Sequence, residues 1–253
     1  MTIIKNLFYE IKLLLRSLPS LITALFVTSV VSMNLLANKS IDLNLSWLAL
    51  DCGVILSWLA FLLMDIVTRR YGPRAANELA FVALCINLVF SAFYILASFI
   101  PGAWSMSFVE GSEEVINGAL DGTFRSAWYV IFGSSVAFAV SAVANNLLNA
   151  FITKKIGKNN FAAFSVSSYA STFLAQFADN LIFAFIVSYN FFGWTPLQCV
   201  MCAVTGAIAE LLFEVVFSPI GYRAMLRMEK ENVGKEYLDY IAERKALKAG
   251  EAK

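Results

Sequence analysis

The chain has 253 residues, of which 59% are hydrophobic and 15% charged, and its mean hydropathy is +0.71. A water-soluble domain of this length runs nearer half apolar and has no interior large enough for the excess, which excludes a soluble globular fold. The formal net charge of +1 leaves no electrostatic footprint for nucleic acid, and the absence of any His removes imidazole acid–base chemistry and His-ligated metals.

In chain order, residues 3–17 (IIKNLFYEIKLLLRS) read as a short amphipathic helix lying in a membrane interface, without the small-residue cleavage site of a secretory signal. Crossing a hydrocarbon core of ~30 Å takes about 20 apolar residues in a helix. Six runs qualify: 18–37, 46–67, 79–100, 126–152, 162–190 and 195–221. They are separated by polar breaks such as RRYGPR (69–74), KKIGKNN (154–160) and the Gly193-Trp194-Thr195-Pro196 turn. None alternates strictly, which argues against a membrane β-barrel. The outer 101–125 segment is the longest connection, either a lid or a plain surface loop. Residues 222–253 form a charged, helical extension whose plain reading is a solvated tail.

The distribution of positive charge orients the bundle. Of 19 Lys and Arg, 17 fall in the N-terminal stretch, the second and fourth connections and the C-terminal tail; only Lys39 and Arg125 lie elsewhere. The positive-inside rule therefore places both termini in the cytoplasm and requires an even number of crossings. The expected fold is an all-α membrane protein: an N-terminal segment (1–17), a six-transmembrane-helix bundle (18–221) and a cytoplasmic tail (222–253).

Five acidic residues fall within the spans, Asp51, Asp65, Asp179, Glu210 and Glu214, with no Lys or Arg expected at the same depth. Carboxylates there are costly, and are either protonated or await a hydrogen-bonding or cationic ligand. Glu210 and Glu214 stand i, i+4 on the sixth helix. Gln176, Asp179 and Asn180 line one face of the fifth. Asn145 and Asn149 stand i, i+4 on the fourth, with Asn146 beside them. Such stripes face each other across a bundle interior, as interhelical glue or as the lining of a polar cavity. The candidate substrate-binding residues are Asn146, Asn149, Gln176, Asp179, Asn180, Glu210 and Glu214, with Phe183 or Phe213 as a stacking surface. Asp65 and Tyr71, at the inner end of the second helix, are candidates for a gating or structural role, Asp65 through Arg69 or a turn cap. Asp51 is expected near water at the outer end. No phosphate-binding loop, G-x-S-x-G or H-E-x-x-H motif is present, and Cys199-x-x-Cys202 lacks the setting of a redox motif, so neither an enzyme nor a cofactor is expected.

Three stretches, Asp65-Ile-Val-Thr-Arg-Arg-Tyr-Gly72, Ser171-Thr-Phe-Leu-Ala-Gln-Phe-Ala-Asp-Asn180 and Glu214-Val-Val-Phe-Ser-Pro-Ile-Gly-Tyr222, resemble those of the vitamin-uptake-type queuosine precursor transporters. The resemblance spans roughly residues 20–225. It implies a six-helix bundle related in architecture to the substrate-binding components of energy-coupling-factor importers, in the bacterial inner membrane, importing a 7-deazaguanine base. It matches Asp179 and Glu214 to acidic positions and Gln176 to an amide position. It departs where Asn146 and Asn149 replace Gln and Asp, and where Glu210 replaces Lys, which favours a different or more cationic purine-like base. The implied partners are that small molecule and the lipid bilayer, with a homo-oligomer or an ATPase module open. Energy comes from protons through Glu210 or Glu214, from such a module, or from metabolic trapping after facilitated diffusion. The competing reading is a non-transporting membrane scaffold.

Overall fold

Pro19 carries no N–H and disfavours helical backbone in the residue before it, so the N-terminal helix stops there. Helix α1 (Thr2–Ser17) and helix α2 (Ser20–Leu36) meet at 112°. This is a computed structural model, and it describes residues 2–41, 43–48, 50–101, 113–156 and 160–251. After α2, strands β1 (Ser40–Ile41) and β2 (Leu50–Asp51) form a short antiparallel ribbon in which Ser40 faces Asp51. Helix α3 (Val54–Tyr71) starts after the ribbon, so the apolar run from 46 is only partly helical. Apolarity alone does not distinguish a ribbon from the first turns of a helix. Asp51 therefore lies outside the helix, where its Oδ1 accepts the Gly53 N–H at 2.7 Å.

Gly72, at φ 93°, makes the sharp turn into α4 (Pro73–Ala97), whose first residue is the Pro that a helix start tolerates. Helix α5 (Glu113–Ile156) has 44 residues, about 66 Å at 1.5 Å per residue and roughly twice the hydrocarbon thickness. Residues 113–125 are thus the opening turns of α5 rather than part of a lid or surface loop. Asp42 and residues 102–112, including Trp104 and Glu110, lie outside the described residues. Asn160 caps α6 (Phe161–Phe183) by accepting the Ala163 N–H at 2.7 Å. The helix widens into a π-helical stretch over Ala184–Tyr189. A reciprocal Thr195–Gln198 capping box starts α7 (Pro196–Lys230), which runs unbroken past residue 221. Helix α8 (Lys235–Glu251) closes the chain.

Among the described residues, four helices are each long and apolar enough to cross a membrane: α4, α5, α6 with its π-helical continuation, and α7. The bent α1–α2 pair makes a fifth if it is one span. Helix α2 has 17 residues, and α3 carries Asp65, Arg69 and Arg70, so neither meets that standard by itself. The polarity of the bundle is inverted relative to a soluble protein. Phe93, Leu96, Leu212, Val216 and Ile220 face outward, while Asn145, Ser168, Thr172, Gln176 and Glu214 have no exposed surface. Only an apolar surrounding makes that arrangement favourable.

The two terminal helices are joined by buried charge. Glu10 on α1 is fully buried and accepts from Arg74 Nη2 at 2.6 Å and from Arg244 on α8. Arg74 Nε also donates to Glu78 Oε1 at 3.0 Å. The Tyr9 and Tyr240 rings meet edge to face at 5.5 Å, and Tyr237 is buried beside Glu78, where burial and that carboxylate raise its phenol above the ordinary range. Tyr71 hydroxyl reaches the Ser17 and Val233 carbonyls at 3.3 and 3.1 Å. It therefore bolts the α1–α2 bend to the α7–α8 turn. Gly234, at φ 75°, leaves room for it, since a Cβ there would lie 2.4 Å from the ring. The expectation of a merely solvated tail is corrected: α8 is docked. Removing one member of a buried ionic cluster costs on the order of 3 kcal/mol. Glu10→Ala is accordingly expected to undock α8, seen as faster proteolytic removal of the tail from the detergent-solubilised protein.

Candidate functional site

Polar side chains from α3, α5, α6 and α7 meet inside the bundle in two layers. The layer nearer the ribbon is built on Glu210. Ser57 on α3 donates to its Oε1, and Asn180 Nδ2 on α6 donates to Oε2 at 3.1 Å. Asn180 reaches that far because Gly206 on α7 has no side chain; a Cβ there would sit 2.7 Å from Asn180 Nδ2. Asp179 accepts from Ser141 on α5 at 2.6 Å, and Asn34 on α2 accepts from Ser134. These groups surround a cavity of about 30 Å³, lined by Asn34, Asp51, Ser134, Asp179, Phe183 and Glu210 among others. That space holds roughly two waters, so a larger ligand requires the walls to part.

The second layer is built on Asp65. Its Oδ1 accepts from Asn145 on α5 at 2.7 Å, and its Oδ2 accepts from Ser168 and, at 3.3 Å, from Thr172 on α6. The Ser168 hydroxyl also meets Glu214 on α7, while the second Glu214 oxygen is buried without a partner among the described residues. Gln176, one turn beyond Thr172, has no exposed surface, and neither its amide oxygen nor its nitrogen has a partner there. Arg69, one turn beyond Asp65, donates to the Ala163 carbonyl at 2.6 Å and to Ser167, with its guanidinium 4.9 Å from the Phe164 ring centre.

The sequence-derived candidates are thus divided. Asp179, Asn180 and Glu210 come together at the cavity, and Glu214 joins Asp65 instead. Glu210 and Glu214 share a helix face yet draw hydrogen bonds from different residues, because 6 Å along an axis spans one layer of side chains. Asn146 points to α4, donating to Asn77 at 2.6 Å and accepting from Thr68 at 3.0 Å. Asn149 accepts from Thr153 on its own helix at 3.3 Å. It is Asn145 that faces the Asp65 layer, since adjacent helical residues point about 100° apart. Asp65 is no turn cap but is fully buried within α3, and Arg69, one turn on, is buried too. Of the two stacking candidates, Phe183 lines the cavity, whereas Phe213 stacks on Trp58 at 5.8 Å and is half exposed. Cys199 and Cys202 are buried free thiols. The residues sequence reasoning passed over are Ser57, Ser141, Ser168 and Thr172. A signal for three of them existed, because Ser141, Asn145 and Asn149 are spaced i, i+4, i+8, as are Ser168, Thr172 and Gln176.

An all-helical bundle with apolar outer faces and a hydrogen-bonded polar interior is the architecture of a multi-pass membrane protein. Residues 51–224 match the family described as "Putative vitamin uptake transporter", and the chain belongs to that family of vitamin-uptake-type transporters. No curated protein and no solved structure matches the chain.

The Asp65 layer has a direct consequence for stability. Asp65→Ala strands the Asn145 and Thr172 donors away from water, at about 1–3 kcal/mol per unmet buried group. It is expected to lower the midpoint of thermal unfolding in detergent, whereas Phe213→Leu, on the outer surface, leaves it nearly unchanged.

Proposed function

We propose that this chain is an importer of a queuosine precursor or a closely related purine-like base, bound between α5, α6 and α7. Gln176 carries the reading. A fully buried amide with neither atom bonded is expensive as structure, and costs nothing extra if a ligand supplies the missing donor and acceptor. A primary amide offers those two groups side by side, matching the adjacent N–H and C=O of a guanine-type edge. Asp179 and Glu210 face the neighbouring cavity and accept from the N–H and NH₂ pair of such a base in bidentate fashion. Phe183 supplies a ring to stack on, and Asn149 an amide nitrogen without a partner among the described residues. Asn180 and Asn146 are already bonded to protein groups, and act by holding Glu210 and the α4–α5 contact in place.

The importer spans the bacterial cytoplasmic membrane six times, with α2 and α3 completing the four longer spans. Both termini lie in the cytoplasm, as the placement of 17 of 19 Lys and Arg favours. The docked α1 and α8 then lie on the cytoplasmic side. Substrate enters from outside through the cavity beside the β1–β2 ribbon.

The competing view, a membrane scaffold held together by polar glue, makes the opposite prediction for Gln176. Glue requires partners, and Gln176 has none among the described residues. Gln176→Leu removes an unpaired buried amide and is expected to fold with stability equal to wild type or about 1 kcal/mol higher. Cells that lack both their own importer and precursor synthesis, and that express this variant, should fail to take up labelled queuine. Wild-type uptake that survives Gln176→Leu would refute the site, and no uptake by well-inserted wild type would refute the substrate.

A further inference from the structure

One hydroxyl touches two carboxyl groups in the Asp65 layer. Ser168 Oγ lies within hydrogen-bonding distance of Asp65 Oδ2 on α3 and of Glu214 Oε1 on α7. A serine hydroxyl has one proton to give. It can satisfy one carboxylate, and the other contact must then run the opposite way, with the carboxyl giving a proton to Ser168. Two ionised groups flanking this hydroxyl would leave one oxygen–oxygen contact with no hydrogen in it, in a region without bulk water to relieve it.

The surroundings show which carboxyl carries the proton. Asp65 accepts from Asn145, Ser168 and Thr172, which is the environment of an ionised group, and a cation, Arg69, stands one turn away on the same helix. Glu214 Oε2 is fully buried with no hydrogen bond of ordinary geometry among the described residues, and the one hydroxyl near Glu214 besides Ser168 there, Thr172, has its proton placed on Asp65. A neutral carboxyl tolerates that, and a carboxylate does not. The Asn145 side chain is aimed into the cluster through its nitrogen, and its buried oxygen is a further acceptor without a donor among the described residues. The acidic groups next along the packed helices are Glu210 on α7, one turn away and supplied by Ser57 and Asn180, and Asp179 on α6, supplied by Ser141. Beyond these stand Tyr169 on α6, bonded to Ser218, and Tyr222 on α7. Helix α5 contributes the amide of Asn145.

We propose that Asp65, Ser168 and Glu214 form a proton-binding site, with the proton on Glu214 and Asp65 ionised, and that this proton is the coupling ion of import. The hydrogen bonds run from Glu214 O–H to Ser168 Oγ, and from Ser168 O–H to Asp65. Loss of the proton to the cytoplasm leaves Glu214 ionised, and a proton arriving from outside restores the starting arrangement. The coupling part of the proposal rests on the transport reading above; the proton site does not.

The test uses the full chain in liposomes with two readouts. Infrared spectroscopy at neutral pH reads protonated carboxyl groups directly, without any substrate. Wild type is expected to show a protonated-carboxyl band of which one group's worth disappears in Glu214→Gln. Ser168→Ala, which changes no charge and serves if Glu214→Gln does not fold, is expected to shift the same band by removing its acceptor. Labelled queuine uptake into the same liposomes is expected to rise several-fold when the outside is made acidic relative to the lumen. A band untouched by both substitutions overturns the proton site. A band that responds, with uptake indifferent to the gradient, overturns coupling. No queuine uptake under any gradient counts against the substrate reading, and the infrared result still decides the site.

Discussion

Asp65 is the point at which the central helices are tied together. Its carboxyl group belongs to α3, takes hydrogen bonds from Asn145 on α5 and from Ser168 and Thr172 on α6, and through Ser168 is connected to Glu214 on α7. In an aqueous protein a lost hydrogen bond is partly replaced by water. Within an apolar surrounding it is not, so a buried carboxyl dictates which helix faces turn toward it. The orientation of three neighbouring helices follows from that demand, and the layer around Glu210, one turn earlier on α7, is tied together in the same way.

The two layers differ in how completely they are satisfied. Around Glu210, both carboxyl oxygens receive donors, and the space left over is small. Around Asp65 and Glu214, by contrast, Gln176, one oxygen of Glu214 and the oxygen of Asn145 lack a hydrogen-bond partner among the described residues. On the importer reading proposed above, such unmet groups inside the bundle are where a substrate finds bonds that the protein does not already make for itself.

At one end of the bundle, the packing of α1 against α8 shows a different use of charge. Glu10 is buried between Arg74 and Arg244, so the first and last helices hold each other through the turn between α3 and α4. Tyr71 adds a hydroxyl bridge from the α1–α2 bend to the α7–α8 turn. Any motion that separates α3 from α7 at this end strains both links, which makes the terminal helices part of the bundle's mechanics rather than appendages.

Composition and hydropathy by themselves determined that the chain is membrane-embedded, and the lack of strict alternation in its long apolar runs made it helical, because helices and closed barrels are the backbones that satisfy themselves in lipid. The i, i+4 spacings likewise marked α5, α6 and α7 as the helices with polar faces. Helix ends were less legible. The ribbon at 40–51 and the early start of α5 at Glu113 involve residues whose apolar or mixed character fits several backbones, and local pairing chose between them. The composition of each layer was decided only by tertiary structure. Spacing places Glu210 and Glu214 on one face, but the rotation and height of α3 and α6 determine that Ser57 and Asn180 reach one while Ser168 reaches the other. Asn145 and Asn146 are neighbours in sequence and turn to different helices for the same reason: a hydrogen bond needs its partner within about 3 Å, and only the packed bundle sets that distance.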